Sequence, residues 1–292
     1  MGRFEMNGLR LTERDKLVFK EFLDHGFLTA KQLAHLEYFP NEKKCRDRLR
    51  LLYREGFLDF CQKPEFGHGR PEHVYCLHKR KIKQIAQLLE CTTEEVCVAK
   101  PGYSPFLLHH LAIVDFCICA RNACQKSGEY EAQIIPEYKR WEGRPNNLKK
   151  ATSQNIVFKG SNFEVIPDAV MCLTRKDKLK SLMFVEIYRG TQTLEGDKHS
   201  IQQKLEAYVA NLEQKSYERL AKDLAYPFKG FRVLMVVHSV SALEKLKTLC
   251  QKMAHGLFWL ALVDEITPDA FFSPIWHVSG EEGLRPLVKG NE

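Results

Sequence analysis

Asn41-Glu42-Lys43-Lys44-Cys45-Arg46-Asp47-Arg48-Leu49-Arg50-Leu51-Leu52-Tyr53-Arg54-Glu55-Gly56 is the stretch that decides the fold. Cys45, Leu49 and Leu52 recur at i, i+4 and i+7, which places three apolar side chains on one face of a helix. Gly56 supplies the stop. The remaining surface carries Lys43, Lys44, Arg46, Arg48, Arg50 and Arg54, so a narrow core face is backed by a broad basic one.

Upstream, Thr12 precedes an amphipathic run with Leu17, Val18, Phe22 and Leu23 that stops before Gly26, and Thr29 precedes a second run with Leu33 and Leu36. Both are N-cap signals. Downstream, Phe57 to Cys61 and His73 to Leu77 read as strands, separated by Phe66-Gly67-His68-Gly69-Arg70-Pro71. Three helices, a strand, a glycine-rich loop and a strand form the order of a winged helix-turn-helix. Its third helix enters the major groove and its wing reaches phosphate or the minor groove. Lys43, Lys44, Arg46, Arg48 and Arg50, with His68 and Arg70 of the loop, are therefore the candidate contacts to double-stranded DNA. A charged helix face is ordinarily only a solvated face. Here the like-signed charge falls on the one helix that this fold presents to a groove.

Composition agrees. At 292 residues, 44% hydrophobic and 28% charged, the chain is long enough for two domains with cores of their own. Most of the net charge of +7 falls within residues 1–82, which points to a polyanion bound there. No apolar run is read as reaching the ~18 to 20 residues of a membrane helix, so no membrane partner is expected. The first residues lack an apolar leader, and Met6 stands where a myristoylation motif has Ser or Thr, which leads to the expectation of a cytoplasmic protein. The ten cysteines include no CxxC pair, and Cys117, Cys172 and Cys250 fall on apolar patterns as small buried hydrophobes. Cys61, His68, His73 and Cys76 lie close in sequence but match no common zinc-finger spacing, and a basic loop is the simpler account.

Residues 79–104 read as a helical linker containing Pro101-Gly102, and Pro105 to about Gln125 as a long apolar helix. A strand at about 131–141, a polar loop at 142–155, strands at 156–173 and 181–188, a helix at 198–223, a strand at 231–238, a helix at 241–253 and a strand at 257–263 follow. Helix, three strands, helix, strand is the core order of the restriction-endonuclease-like fold. The expected fold class is thus α+β: a winged helix-turn-helix over 1–78, the linker over 79–104, and an α/β restriction-endonuclease-like domain over 105–292.

Within that order Asp168 opens the run Ala169-Val170-Met171-Cys172-Leu173, and Glu186 lies inside Leu182-Met183-Phe184-Val185-Glu186-Ile187-Tyr188. A carboxylate in a buried strand is costly unless it is paired or binds a cation. Two of them at the ends of neighbouring strands could hold one Mg²⁺ or Mn²⁺ and place a water against a phosphodiester. No motif for an organic cofactor is present.

Leu11-Thr12-Glu13-Arg14-Asp15, Ile166-Pro167-Asp168-Ala169, Val185-Glu186-Ile187-Tyr188-Arg189-Gly190-Thr191 and Lys204-Leu205-Glu206-Ala207-Tyr208 together resemble the replication-relaxation family of plasmids and integrative elements, over about residues 9–210. That family is similar to winged-helix mobilisation relaxases whose second domain has the PD-(D/E)xK nuclease fold. The resemblance implies processing or control of plasmid or mobile-element DNA, with other replication or mobilisation proteins among the partners. The chain departs from the nuclease pattern at Tyr188, which stands where the pattern has Lys. Lys204, on the next helix, is the substitute, since nucleases of this fold can relocate the lysine, and Asp115 or Glu137 is the candidate remaining acid. Each of these has a plainer account as a surface or strand-edge charge.

Two readings stay open. In one the second domain nicks or cuts DNA with a divalent metal, using Asp168, Glu186 and Lys204. In the other it has lost chemistry and serves DNA contact, dimerisation or protein recruitment. A tyrosine nucleophile, Tyr188 or Tyr208, is a further variant, although such tyrosines are far more often core residues. Winged-helix proteins often act as homodimers on symmetric sites, but no heptad seam is visible.

Overall fold

The structure is a computed structural model that describes residues 5–6, 9–63, 71–96, 98, 106–137, 152–190, 193–194, 196 and 200–288. It is of mixed α+β composition and divides into two compact units, residues 1–118 with 138–149 and residues 119–137 with 150–292.

In the first unit β1 (Glu5–Met6) pairs antiparallel with β2 (Leu9–Arg10), ahead of α1 (Glu13–His25). Thr12 and Asp15 close a capping box at its start: the Thr12 side chain accepts the Asp15 N–H, and the Asp15 carboxylate accepts the Thr12 N–H at 2.7 Å. After β3 (Leu28–Thr29), Thr29 and Gln32 repeat the device for α2 (Ala30–His35). Asn41 then caps α3 (Glu42–Arg54), accepting from the Lys44 N–H at 3.0 Å. The C-terminus closes as a Schellman turn, with Gly56 N–H donating to the Tyr53 carbonyl and Phe57 N–H to that of Leu52, each at 2.9 Å. Gly56 has φ +74°, the left-handed backbone that costs glycine least.

The chain next forms β4 (Leu58–Gln62) and β5 (His73–Leu77), an antiparallel pair running from Leu58 opposite Leu77 to Gln62 opposite His73. Short β3 adds to the other edge of β5. The expected core face of α3 is inside: Cys45, Leu49 and Leu52 are fully buried with Val18, Phe19, Phe22 and Leu33. This core also takes in residues of the stretch expected to be a linker. α4 (Ile82–Leu89) buries Ile85 and Ala86 there, Val96 follows, and the part of α5 (Leu107–Ser127) that belongs to the first unit contributes Val114 and Ile118. Amphipathic α4 has an apolar stripe that must be covered, so the segment packs with the first unit.

At 21 residues, α5 is by length and composition long and apolar enough to cross a membrane, contrary to the sequence expectation, and 56% of its most apolar window is buried within the protein.

The second unit is built on β6 (Tyr130–Pro136), β7 (Gln154–Phe158), β8 (Ser161–Val165), β9 (Ala169–Arg175), β10 (Lys180–Tyr188), α6 (Ile201–Glu213), α7 (Glu218–Asp223), β11 (Arg232–Val237), α8 (Val240–Gln251), β12 (Phe258–Leu262), β13 (Pro274–Val278) and β14 (Leu284–Pro286). Its seven-stranded sheet has the order β14-β13-β12-β11-β10-β9-β6. β6, β9 and β10 form an antiparallel meander, β10 to β12 are mutually parallel, and β13 and β14 return antiparallel. The helices supply the crossovers that parallel pairing requires. β10 is an interior strand, buried on both faces from Leu182 to Tyr188, which explains why that run is apolar apart from Glu186.

The run 156–173, expected as strand throughout, is broken twice. Lys159 and Gly160 both take positive φ in the tight turn of the separate β7–β8 hairpin, and the chain leaves that hairpin before β9 begins at Ala169. The expected helix at 198–223 is likewise two, with Lys215 at positive φ between them.

Candidate functional site

Asp168 precedes β9 and is latched to β10 by backbone. Its N–H donates to the Val185 carbonyl at 3.0 Å, and its Oδ2 accepts the Ile187 N–H at 2.7 Å, so it sits across from Glu186. Each of the two acids is 6% exposed. Glu137, directly after β6, donates its N–H to the Asp168 carbonyl at 2.8 Å, and a carboxylate oxygen of Glu137 lies within 4.8 Å of one on Asp168.

Ser200 caps α6, which packs on the sheet through Ile201, Leu205 and Tyr208. Lys204 and Tyr208, one turn apart, therefore reach the same carboxylate. Lys204 Nζ donates to Glu186 Oε2 at 2.5 Å, and the Tyr208 hydroxyl donates to Glu186 Oε1. Four of the sequence candidates, Asp168, Glu186, Lys204 and Glu137, are thus gathered at one end of β6, β9 and β10. Tyr208 is an addition: the sequence offered it only as a nucleophile, and its i, i+4 spacing from Lys204 was the available signal.

Burial pushes the Glu186 carboxyl up to about 7, and the neighbouring Asp168 adds to the shift; Lys204 and Tyr208 oppose it without winning. Burial disfavours the Lys204 ammonium, but Glu186 and Asp168 outweigh that penalty and raise it above the ordinary lysine range. Tyr208 is raised well above 10, first by burial and then by Glu186, which keeps its hydroxyl a donor.

A carboxyl whose folded pKa lies above its unfolded value stabilises most below the unfolded value, and that contribution is lost as pH rises through the folded one. Stability is therefore expected to fall between about pH 4.5 and pH 7, by on the order of 3 kcal/mol from Glu186 alone. Melting curves across that range would show the slope, and Glu186→Gln should flatten it.

Tyr188, at the position where the resemblance implies a lysine, is buried in the core of the second unit at 6% exposure, and burial raises its hydroxyl. As nucleophiles, Tyr188 and Tyr208 would both act from buried positions. Asp115 lies on the part of α5 that belongs to the first unit, where Gln32 Nε2 donates to its Oδ1 at 2.9 Å; burial raises its carboxyl against that bond.

On α3, Lys43, Lys44, Arg46 and Arg50 are exposed. Arg46 and Arg50 make loose pairs with Glu42 at 3.7 Å and Asp47 at 3.9 Å, contacts of little energetic weight at a surface. Arg48 differs from its neighbours. Its Nε donates to Asp15 Oδ1 at 2.8 Å, its Nη2 to Asp15 Oδ2 at 2.5 Å and to the Arg10 carbonyl at 2.9 Å, and Asp15 is fully buried. Arg48 is thus committed to fastening α3 to the cap of α1. His68 and Arg70 lie outside the described residues.

The Cys61, His73 and Cys76 members of the possible zinc cluster are divided by the strand pleat: Cys61 and Cys76 share one face of the hairpin, while His73 is on the other, stacked on Phe60 with ring centroids 4.2 Å apart. Burial pushes the Cys76 thiol up to about 12, which disfavours the thiolate a metal would need.

The model of the replication-relaxation family matches this sequence over residues 20–223, a span that includes α2, α3 and the whole Asp168–Glu186–Lys204–Tyr208 cluster. No curated protein and no solved structure gives a significant match.

Proposed function

We propose, since this chain belongs to the replication-relaxation family, that it is a DNA-processing protein of a plasmid or mobile element. The first unit holds double-stranded DNA as a winged helix-turn-helix, and the second, of PD-(D/E)xK nuclease-like build, nicks or cuts it with Mg²⁺ or Mn²⁺.

The observation that carries the enzymatic reading is the Lys204–Glu186 bond beside Asp168. A nuclease of this build needs two acids on adjacent strands and a lysine close to them. Here the lysine arrives from α6 in place of the β10 position taken by Tyr188. The meander β6-β9-β10, the crossover through α6 and the parallel partner β11 are consistent with the same build.

The donor set fits a hard divalent cation, because Asp168, Glu186 and Glu137 offer carboxylate oxygen. These residues would hold it, and when bound it supplies Lewis-acid polarisation of a phosphodiester. The chain's own groups do the rest: the Ile187 N–H fixes the Asp168 rotamer, Tyr208 orients the Glu186 carboxylate, and Lys204 offsets negative charge where a phosphate would lie.

One observation favours the second reading, a regulator or replication accessory without chemistry. Both Glu186 oxygens already accept hydrogen bonds, which would also stabilise a closed structural cluster. Incubation of purified protein with supercoiled plasmid and Mg²⁺ or Mn²⁺ separates the two. Nicking that EDTA blocks supports the enzyme; intact plasmid with a melting temperature indifferent to millimolar metal leaves the regulator.

The DNA-binding half has its own test. Arg46 and Arg50 are exposed arginines on one stripe of α3, so Arg46→Ala with Arg50→Ala should reduce the slope of log affinity against log salt by about two, roughly one per lost phosphate contact. Fluorescence anisotropy with a duplex at several salt concentrations reads this out. An unchanged slope in a folded double variant removes α3 from the groove.

A further inference from the structure

We propose that the first unit also carries a stacking site for unpaired bases, formed by Tyr53, Phe60 and His73 beside Arg46 and Arg50, which directs the protein to places where duplex meets single strand. This rests on the DNA-binding reading above and adds a second form of the ligand to it.

Arg46, Arg50 and Tyr53 are spaced i, i+4 and i+7 along α3 and make one exposed stripe next to the stripe that enters the core. Arg46 and Arg50 line a groove of about 360 Å³ together with Lys31, His73 and Tyr75. Its two acids have cationic neighbours of their own, Glu42 near Arg46 and Glu72 paired with Lys63 at 3.3 Å. Tyr53 stands at the end of the stripe, edge-on to Phe60 with ring centroids 4.9 Å apart, and Phe60 stacks on His73 at 4.2 Å with the rings 17° from parallel. Tyr53 is 42% exposed, and Phe60 and His73 are half-buried. Three rings with accessible surface are thereby set beside arginines that can take phosphates.

A duplex cannot use the rings, because its bases already stack on one another and show only their edges in the grooves. An unpaired base has a free face, and stacking on an aromatic side chain is tolerant of sequence. A single-stranded segment that leaves a duplex held by α3 satisfies both features at once: its phosphates meet Arg46 and Arg50, and its bases meet Tyr53 and the Phe60–His73 stack.

The test uses the full chain and three labelled probes: a blunt duplex, the same duplex with about ten unpaired nucleotides at one end, and that single strand alone. The tailed duplex is expected to bind about tenfold more tightly than the blunt one. Tyr53→Leu with His73→Leu keeps apolar bulk against Phe60 but removes two ring faces; it should bring the tailed duplex to the level of the blunt one and leave the blunt duplex unchanged. Equal binding of blunt and tailed probes by the wild type, or a variant that weakens both alike, overturns the proposal while the duplex reading survives. Binding of the tailed and single-stranded probes without the blunt one supports the stacking site and overturns the duplex reading. Failure to bind any probe overturns both.

Discussion

Asp168→Ala is expected to lower metal-dependent nicking of supercoiled plasmid by about a hundredfold or more while leaving duplex affinity nearly unchanged. The physical reason is placement. Asp168 is fixed by the Ile187 N–H beside Glu186, and two buried carboxylates so close repel unless a cation relieves them. Without Asp168, Glu186 retains Lys204 and Tyr208 as donors but no longer forms a two-acid clamp. Asp168→Asn serves as the companion variant, because its amide oxygen can still accept from Ile187 and preserve the fold. It should be as inactive as the alanine variant. Millimolar Mg²⁺ or Mn²⁺ should raise the melting temperature of the wild type by mass action on the folded state and should not raise that of Asp168→Asn. If the cluster is a remnant, the outcome reverses in sign: no nicking, no metal effect, and an Asp168→Asn variant as stable as the wild type or slightly more so, since one of two repelling charges has gone. Restoring a lysine through Tyr188→Lys is a poor route to activity, because Tyr188 belongs to the second core and the substitution would bury an ammonium among apolar side chains.

The elements legible in the sequence are those governed by local periodicity and capping. The core face of α3 at Cys45, Leu49 and Leu52 is fixed by 3.6-residue spacing, and the Thr12, Thr29 and Gly56 signals mark ends that the backbone bonds close. Asp168 and Glu186 stood out because a carboxylate in an apolar run needs a physical reason. Lys204 could be nominated for the same site, but its bond to Glu186 depends on how α6 crosses the sheet, which is long-range information.

What stayed hidden has a common cause. Tyr208 in an apolar helix looks like any core tyrosine until the position of Glu186 is known. The Lys159-Gly160 turn is masked by β-prone residues on both sides, and a lysine at positive φ gives no turn signal of its own. The chain from 79 to 104 contains enough polar residues to look like a linker, and only the contacts of Ile85, Ala86 and Val96 reveal that residues 82–96 pack into the first core. Arg48 is the clearest instance. In sequence it is one of six cations on α3, and nothing local distinguishes it from Arg46 or Arg50.

That distinction leads to the second large effect. Arg48→Ala should destabilise the first unit by roughly 3 to 5 kcal/mol, because it leaves the Asp15 carboxylate buried without its cation. Among the described residues Asp15 would keep the Thr12 N–H and hydroxyl as side-chain donors, and the Arg10 carbonyl would lose its donor from α3. For a unit of this size the melting temperature should fall by roughly 10 °C or more, whereas Arg50→Ala, on the exposed stripe, should change stability by less than about 0.5 kcal/mol. Thermal melts followed by circular dichroism would show the contrast. A double variant, Arg48→Met with Asp15→Asn, removes both charges and should recover much of the loss, since well-packed neutral groups can replace a buried ion pair at little net cost. If Arg48→Ala melts like the wild type, the pair is not buried in solution and Arg48 rejoins the exposed arginines as a candidate for phosphate. If it melts as expected, any loss of DNA binding in that variant reports unfolding, and contact with DNA has to be read from the exposed cations of α3, Arg46 and Arg50 among them.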